Sequence, residues 1–297
     1  MNVKTKQEAL YYNKKVYNGN FGKEYDSVNS IKPYRNELIK KDLNFIFNNF
    51  KRDNLNLLDI GCGTGYLCFN YYPHNKKAKI YALDISKNML NLLKKKISKP
   101  NLNKTIFVCE EVLEYLKKTN LKFDLIGTSG AYHHFFDYLD VIDIACKKIK
   151  KGGFFYIEVE PLNLKKYNLF KKYLIKIYGT LDYSFLMYFE KLISPLKLIP
   201  YWIYALSISL PFIKKDSLKK LKDNFFKIPD GLNHEEIEKS ETIREGLNFK
   251  EINKILLKNN FKIICSEGGP SSNFYLTYKI INFLNINDHF KIIARKN

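Results

Sequence analysis

The sequence predicts an α/β fold: a mostly parallel sheet layered between helices, with ligands at the carboxyl ends of its strands. Three observations carry this expectation. The apolar run Leu57-Leu58-Asp59-Ile60 breaks directly into Gly61-Cys62-Gly63-Thr64-Gly65. A second run, Ile80-Tyr81-Ala82-Leu83, ends in Asp84, nineteen residues past Gly65. Strand-like and helix-like patterns then alternate to about residue 160. An apolar run without alternation suits a strand covered on both faces. Alternate glycines suit the turn after it, where backbone must approach a ligand closely or take φ/ψ values that a Cβ opposes. An acid at that distance, on the tip of the second strand, is placed to grip both hydroxyls of a ribose. The pattern reads as a nucleoside site.

The elements follow in order. The first 50 residues form a helical preface, with Leu38, Leu43, Phe45, Ile46 and Phe50 on the stretch Asn36 to Phe50. Strand one covers Asn56 to Ile60, and a helix begins near Thr64. Strand two is Lys79 to Leu83, followed by a helix from Ser86, a residue type that caps helix N-termini. Strand three is Thr105 to Cys109, with a short helix through Val112 to Leu116. Strand four is Lys122 to Thr128, then a helix from about Asp137 to Ile149. Lys151-Gly152-Gly153 turns into strand five, Phe154 to Val159. At Pro161 the alternation stops, and residues 161–246 read as a helical, aromatic-rich insert. A helix over Asn248 to Asn259, a strand over Phe261 to Ser266 and a terminal strand over Phe290 to Ala294 restore the pattern.

Composition bounds the function. A 297-residue chain with a hydrophobic fraction of 45% suits one large domain with an insertion, or two small ones, and argues against disorder. Cys62, Cys68, Cys109, Cys146 and Cys265 form no CxxC pair or His-flanked cluster, so no metal is expected. They read as small buried apolar residues in a reducing compartment. The polar start, Met1 to Gln7, lacks a secretory h-region, so the cytoplasm is the expected location. The net charge of +20 invites a nucleic-acid reading, yet only four of the 50 basic residues are arginine, the residue that makes bidentate phosphate and base contacts. Most lysines therefore read as a solvated face.

A dinucleotide fingerprint, G-x-G-x-x-G, would place a glycine where this chain has Tyr66; its pattern is G-x-G-x-G. That pattern resembles motif I of the class I S-adenosylmethionine-dependent methyltransferases. The resemblance implies a Rossmann-like three-layer sandwich with a seven-stranded sheet and an antiparallel C-terminal strand. It implies S-adenosylmethionine as cofactor. Asp59, Gly61, Gly63 and Gly65 would hold its methionine part, and Asp84 its ribose. Glu111, or its neighbour Glu110, would accept from the adenine amino group, with Ile85 and Val112 beside the ring. Gly130-Ala131-Tyr132-His133-His134-Phe135 ends in the "HHF" of many small-molecule and quinone methyltransferases. The resemblance covers residues 50–160 well, 248–295 weakly and the insert hardly at all.

His133, His134 and Glu160 are the candidate acid–base residues. An imidazole titrates near neutrality and can take a proton from a hydroxyl or an acidic carbon. Two adjacent histidines are expected to face different ways, and either could equally be a structural residue; Glu160 could equally be a solvated carboxylate. The chain lacks the Asn/Asp-Pro-Pro-Tyr motif of amino-directed nucleic-acid methyltransferases and the cysteine nucleophile of pyrimidine-C5 ones. These absences remove two nucleic-acid chemistries but not ribose or phosphate-backbone methylation; the expected acceptor is small or lipid-like. RNA methylation and a non-catalytic cofactor-binding or membrane-surface module are the rivals. In the insert, Leu198 to Ile213 is uncharged over 16 residues but broken by Pro200 and Pro211, too short to span a membrane. Residues 164–215 read either as a lid, packed on the sheet or a second subunit, or as a basic amphipathic surface on a membrane. The domain division is 1–50 as a helical segment, 51–160 with 247–297 as the cofactor domain, and 161–246 as the insert.

Overall fold

In β1 (Asn56–Ile60), Leu57 and Leu58 are both fully buried, but in different cores. Successive side chains of a strand point to opposite faces, and the same split recurs in β4 (Phe123–Thr128), where Leu125 joins one core and Ile126 the other. It recurs again in β5 (Ile149–Pro161) with Phe154 and Phe155. The computed structural model thus has a sheet covered on both faces. It describes residues 3–19, 33–75, 77–165, 234–243, 246–269 and 286–297, with single residues and short runs within 167–178 and 279–284. The expected insert falls largely outside the described residues, as does all of the run from Leu198 to Ile213.

Seven strands pair in the order β3-β2-β1-β4-β5-β7-β6. β2 is Lys79–Asp84, β3 Thr105–Cys109, β6 Phe261–Gly269 and β7 His289–Lys296. The first five run parallel, and β7 lies antiparallel between β5 and β6. This is the expected three-layer fold with its antiparallel C-terminal strand.

One layer holds α2 (Pro33–Asn48), α3 (Tyr66–Tyr71) and α4 (Lys87–Lys96), whose Ile39, Leu43, Leu67 and Leu93 pack on Leu57, Leu125 and Phe154. The other holds α6 (Val112–Lys118), α7 (Tyr138–Lys148) and α9 (Phe249–Lys258), whose Leu116, Val141 and Ile252 pack on Leu58, Ile126 and Phe155. The four-residue α5 (Lys99–Leu102) precedes β3. Ser86 caps α4 as its residue type predicts, its hydroxyl accepting from the Met89 amide at 3.1 Å.

Two details correct the sequence reading, and one extends it. β5 begins at Ile149, which already pairs with Phe123, so the glycine turn is a bulge within the strand. Gly152 has φ +77°, a conformation that glycine adopts without strain. The preface contains a separate helix, α1 (Lys6–Asn18), joined to α8 (His234–Ser240) by a Lys15–Glu236 ion pair of 2.5 Å. Cys62, Cys68 and Cys146 are buried as expected, but Cys109, at the carboxyl tip of β3, is exposed and Cys265 half-buried.

Candidate active site

A cavity of about 1100 Å³ opens at the carboxyl ends of β1, β2, β4 and β5. It exceeds the range of about 300–1,000 Å³ usual for small-molecule sites, leaving space for two ligands side by side. The glycine loop forms its floor. Gly63, at φ +52°, faces open space: a Cβ built there meets nothing within 4 Å. Gly65, at φ +93°, serves packing instead, since its Cβ would fall 2.1 Å from Leu93 Cδ1 of α4. Gly61 and Gly63 line the cavity, but Gly65 does not.

Asp59 does not line it either. The expected contact with a ligand's amino-acid part is not what the structure shows: the side chain is 1% exposed beneath the loop and accepts from the Cys68 thiol at 3.1 Å. Burial pushes its carboxyl up to about 7. Asp84 does reach the cavity. One of its oxygens accepts from the Gly63 amide and the other from the Ser86 amide, both at 2.8 Å. A carboxylate has about four acceptor sites, so each oxygen keeps capacity for a ribose hydroxyl. Burial raises the Asp84 carboxyl, and the Ser86 and Gly63 amides oppose that rise.

Ile85, Glu110, Glu111 and Val112 line the next stretch of wall. Glu111 caps α6 by accepting from the Glu114 amide at 2.9 Å and meets Lys6 Nζ at 3.5 Å. Glu110 is held by Lys118 at 2.9 Å.

Opposite the glycines, the chain leaves β4 through Ser129 and Gly130 into a 3-10 turn, Tyr132–His134. The tight turn brings the two imidazoles within 4.0 Å of each other, and both line the cavity, against the expected divergence. Their surroundings separate them. His134 Nδ1 donates to the Ser240 carbonyl at 2.8 Å, which leaves Nε2 to accept from the Tyr17 hydroxyl at 3.2 Å. Burial, then the neighbouring His133, pushes it down to about 3. His134 is a neutral structural residue.

His133 Nδ1 donates to Glu160 Oε2 at 2.9 Å, and its Nε2 has no hydrogen-bond partner among the described residues. Glu160 is fully buried on β5. Its Oε1 accepts from the Ala131 and Tyr132 amides at 2.7 Å, and Oε2 from the His133 amide at 3.3 Å. The solvated alternative for Glu160 is overturned. It clamps the turn and sets the His133 tautomer.

A model described as a methyltransferase domain matches residues 51–172. That stretch holds the glycine loop, Asp84, the histidine turn and Glu160. Residues 51–172 are thus similar to a methyltransferase domain. Malonyl-[acyl-carrier protein] O-methyltransferase of Priestia megaterium is 30% identical over 140 residues, 47% of this chain and 48% of that protein. Demethylmenaquinone methyltransferase of Oceanobacillus iheyensis is 29% identical over 155 residues, 50% of this chain and 60% of that one. The matches span from 34% to 60% of the length of five such relatives. Among solved structures, magnesium protoporphyrin IX methyltransferase from Synechocystis PCC 6803 superimposes with a TM-score of 0.53 at 12% identity, over 97% of this chain and 100% of that one. At that identity the likeness concerns the fold.

The methyltransferase domain also recruits residues that sequence reasoning missed. Arg35 of α2 forms a bidentate pair with Glu158, reaches Ser129 Oγ at 3.0 Å and lies over the Tyr66 ring at 5.2 Å. The signal available was rarity, because Arg35 is one of only four arginines. From α1, Lys6, Asn13 and Tyr17 line the cavity, and Asn13 donates to the His134 carbonyl at 3.2 Å. No local pattern marks these three.

Proposed function

We propose that this chain transfers a methyl group from S-adenosylmethionine to a small or lipid-like acceptor in the cytoplasm, with His133 as general base. One observation carries the assignment of the base: His133, held by Glu160 at 2.9 Å, lines the same cavity as Gly63 and Asp84. The open face of Gly63 fits a ligand pressed against backbone, and Asp84 fits a ribose. Gly61, Ile85, Val112 and Glu111 would complete the cofactor wall, with Asp59 and Gly65 supporting the loop from below. Bound S-adenosylmethionine supplies an activated methyl group on sulfonium.

The protein's own part is orientation and proton management. With Nδ1 protonated against Glu160, Nε2 carries the lone pair and can take the acceptor's proton. The buried Glu160 carboxylate then stabilises the imidazolium. Relatives named for malonyl-[acyl-carrier protein] and demethylmenaquinone support a small or lipophilic acceptor. In this reading residues 51–160 and 247–297 hold the cofactor, residues 1–50 cover it, and residues 161–246 select the acceptor, with 164–215 meeting lipid.

The test incubates the protein with methyl-labelled S-adenosylmethionine and fractionated lipid, polar-metabolite and RNA pools. Label should enter the lipid or metabolite pool, and entry into RNA alone would overturn the acceptor class. Calorimetry should register cofactor binding that Asp84→Ala weakens. Absence of heat with the wild-type chain would overturn the reading.

A further inference from the structure

A buried carboxyl group lies under the glycine loop with no cation to meet it. Asp59 is 1% exposed and takes its support from Cys68, whose thiol donates at 3.1 Å. The titratable groups around it are Cys62 of the loop, Cys68 and Tyr71 of α3, Tyr72 at the end of that helix, and Asp84 of β2. None of them is a base. No Lys, Arg or His pairs with Asp59 among the described residues. The Tyr71 hydroxyl is itself buried, with no hydrogen-bond partner among those residues.

A carboxylate away from water is costly without a counter-charge, so such a group keeps its proton until a cation arrives. Burial accordingly pushes Asp59 up to about 7. Gly61, two residues on, lines the cavity, and a Cβ at Gly63 would project into open space. Asp84, whose charge also raises Asp59, lines it as well. A cation on this floor acts on Asp59 through protein rather than water, where charges interact several-fold more strongly. The proposed cofactor brings such a cation and then loses it. S-adenosylmethionine carries a sulfonium, and the S-adenosylhomocysteine left after transfer carries a neutral thioether.

We propose that Asp59 distinguishes methyl donor from spent product by serving as the buried counter-ion of the sulfonium. When the donor binds, the Asp59 carboxyl ionises and its proton passes to solvent. Once the methyl group has left, no charge holds the carboxylate, and a proton returns from solvent. Asp59 does not line the cavity, so it is a positioning residue that acts through the loop. The inference rests on the proposed cofactor and adds to it a reason for product release.

The experiment is calorimetry of the full chain with S-adenosylmethionine and with S-adenosylhomocysteine, from about pH 5 to about pH 8, in buffers of different ionisation enthalpy. The amino-acid tail titrates in both ligands, so the ratio of affinities isolates the sulfonium. Donor affinity gains with rising pH until Asp59 is already ionised in the free protein, above about 7. If the sulfonium lowers Asp59 by about one pKa unit, the donor-to-product ratio should rise about tenfold across the range. The donor should then release roughly 0.4 proton at about pH 7. Asp59→Asn should remove both effects. His133 also faces the cavity, so His133→Gln is the control and should keep them. If Asp59→Asn does not fold, Cys68→Ala takes its place: losing the thiol donor raises Asp59 further, so the rise should move to higher pH.

A wild-type ratio independent of pH would overturn the proposal. So would a rise that survives Asp59→Asn, stays in place in Cys68→Ala or disappears in His133→Gln. Binding of both ligands with a flat ratio would leave the methyl-transfer reading standing, whereas no heat from either would sink that reading and the proposal together.

Discussion

Glu160→Gln is the substitution that most sharply separates a positioned base from a structural histidine. The side chain keeps its shape, so Oε1 can still accept from the Ala131 and Tyr132 amides. The change falls at the Oε2 position, which now holds an amide NH₂ facing the His133 amide and Nδ1. Two donors cannot share a proton, so Nδ1 must become the acceptor. The proton moves to Nε2, and His133 loses the lone pair that faced the acceptor.

The loss should equal the general-base contribution, about 10²–10⁴ in rate. Hydrogen bonds to a charged group contribute about 1.5–3 kcal/mol each. Losing one to two of them should cost roughly 3 kcal/mol, which a domain of about 5–15 kcal/mol survives. The deletion Glu160→Ala is a poorer probe, since it orphans three backbone N–H groups at about 1–3 kcal/mol each.

The assay has two parts. Long-range ¹H–¹⁵N spectra of labelled imidazoles read the His133 tautomer directly, and methyl transfer to the pool that accepts label reads its consequence. Cofactor affinity by calorimetry should stay within a few-fold of wild type, because Glu160 does not line the cofactor wall. An unchanged tautomer would refute the reasoning. So would a folded His133→Ala variant that turns over at the wild-type rate.

The glycines make a second pair of predictions. Gly65→Ala should destabilise the fold by about 2–4 kcal/mol in thermal melts, since a Cβ at 2.1 Å from Leu93 adds displacement to the left-handed penalty. Gly63→Ala should cost only about 1–2 kcal/mol yet sharply reduce S-adenosylmethionine binding, because its Cβ projects into open cavity. Equal affinities in the two variants would contradict these separate roles.

A third prediction concerns pH. Asp59 has its folded pKa raised to about 7 from 3.8, so the folded state holds more protons in that window and stability falls as pH rises through it. The shift corresponds to about 4 kcal/mol. His134 has its folded pKa lowered to about 3 from 6.5, so the unfolded state holds more protons and stability rises with pH across that range. The two slopes oppose each other. Asp59→Asn should expose the His134 slope, steepening the gain in denaturant-measured stability between about pH 4 and 6.5. A pH profile parallel to wild type would sink this account.

Short-range patterns were legible from the chain alone. The alternation of strand and helix, the glycine loop and the Ser86 cap all follow from sterics and hydrogen bonding within a few residues, and Asp84 was marked by its spacing from the glycines. Those rules act on every chain in the same way, so the fold class and the place of the glycine loop could be read without coordinates.

Other features were decided by tertiary structure. His133 and Glu160 meet across 27 residues, Arg35 and Glu158 across 123, and Lys6 and Asp137 across 131. No local propensity encodes such pairs; they form only once the sheet order sets β4 beside β5 and brings the N-terminal helices over the cavity. The same holds for Asp59, which the chain alone placed at the ligand and burial placed beneath the loop. Which of two neighbouring histidines keeps an open nitrogen was likewise a matter of packing: Tyr17 and Ser240 consume both nitrogens of His134, and neither is near it in sequence.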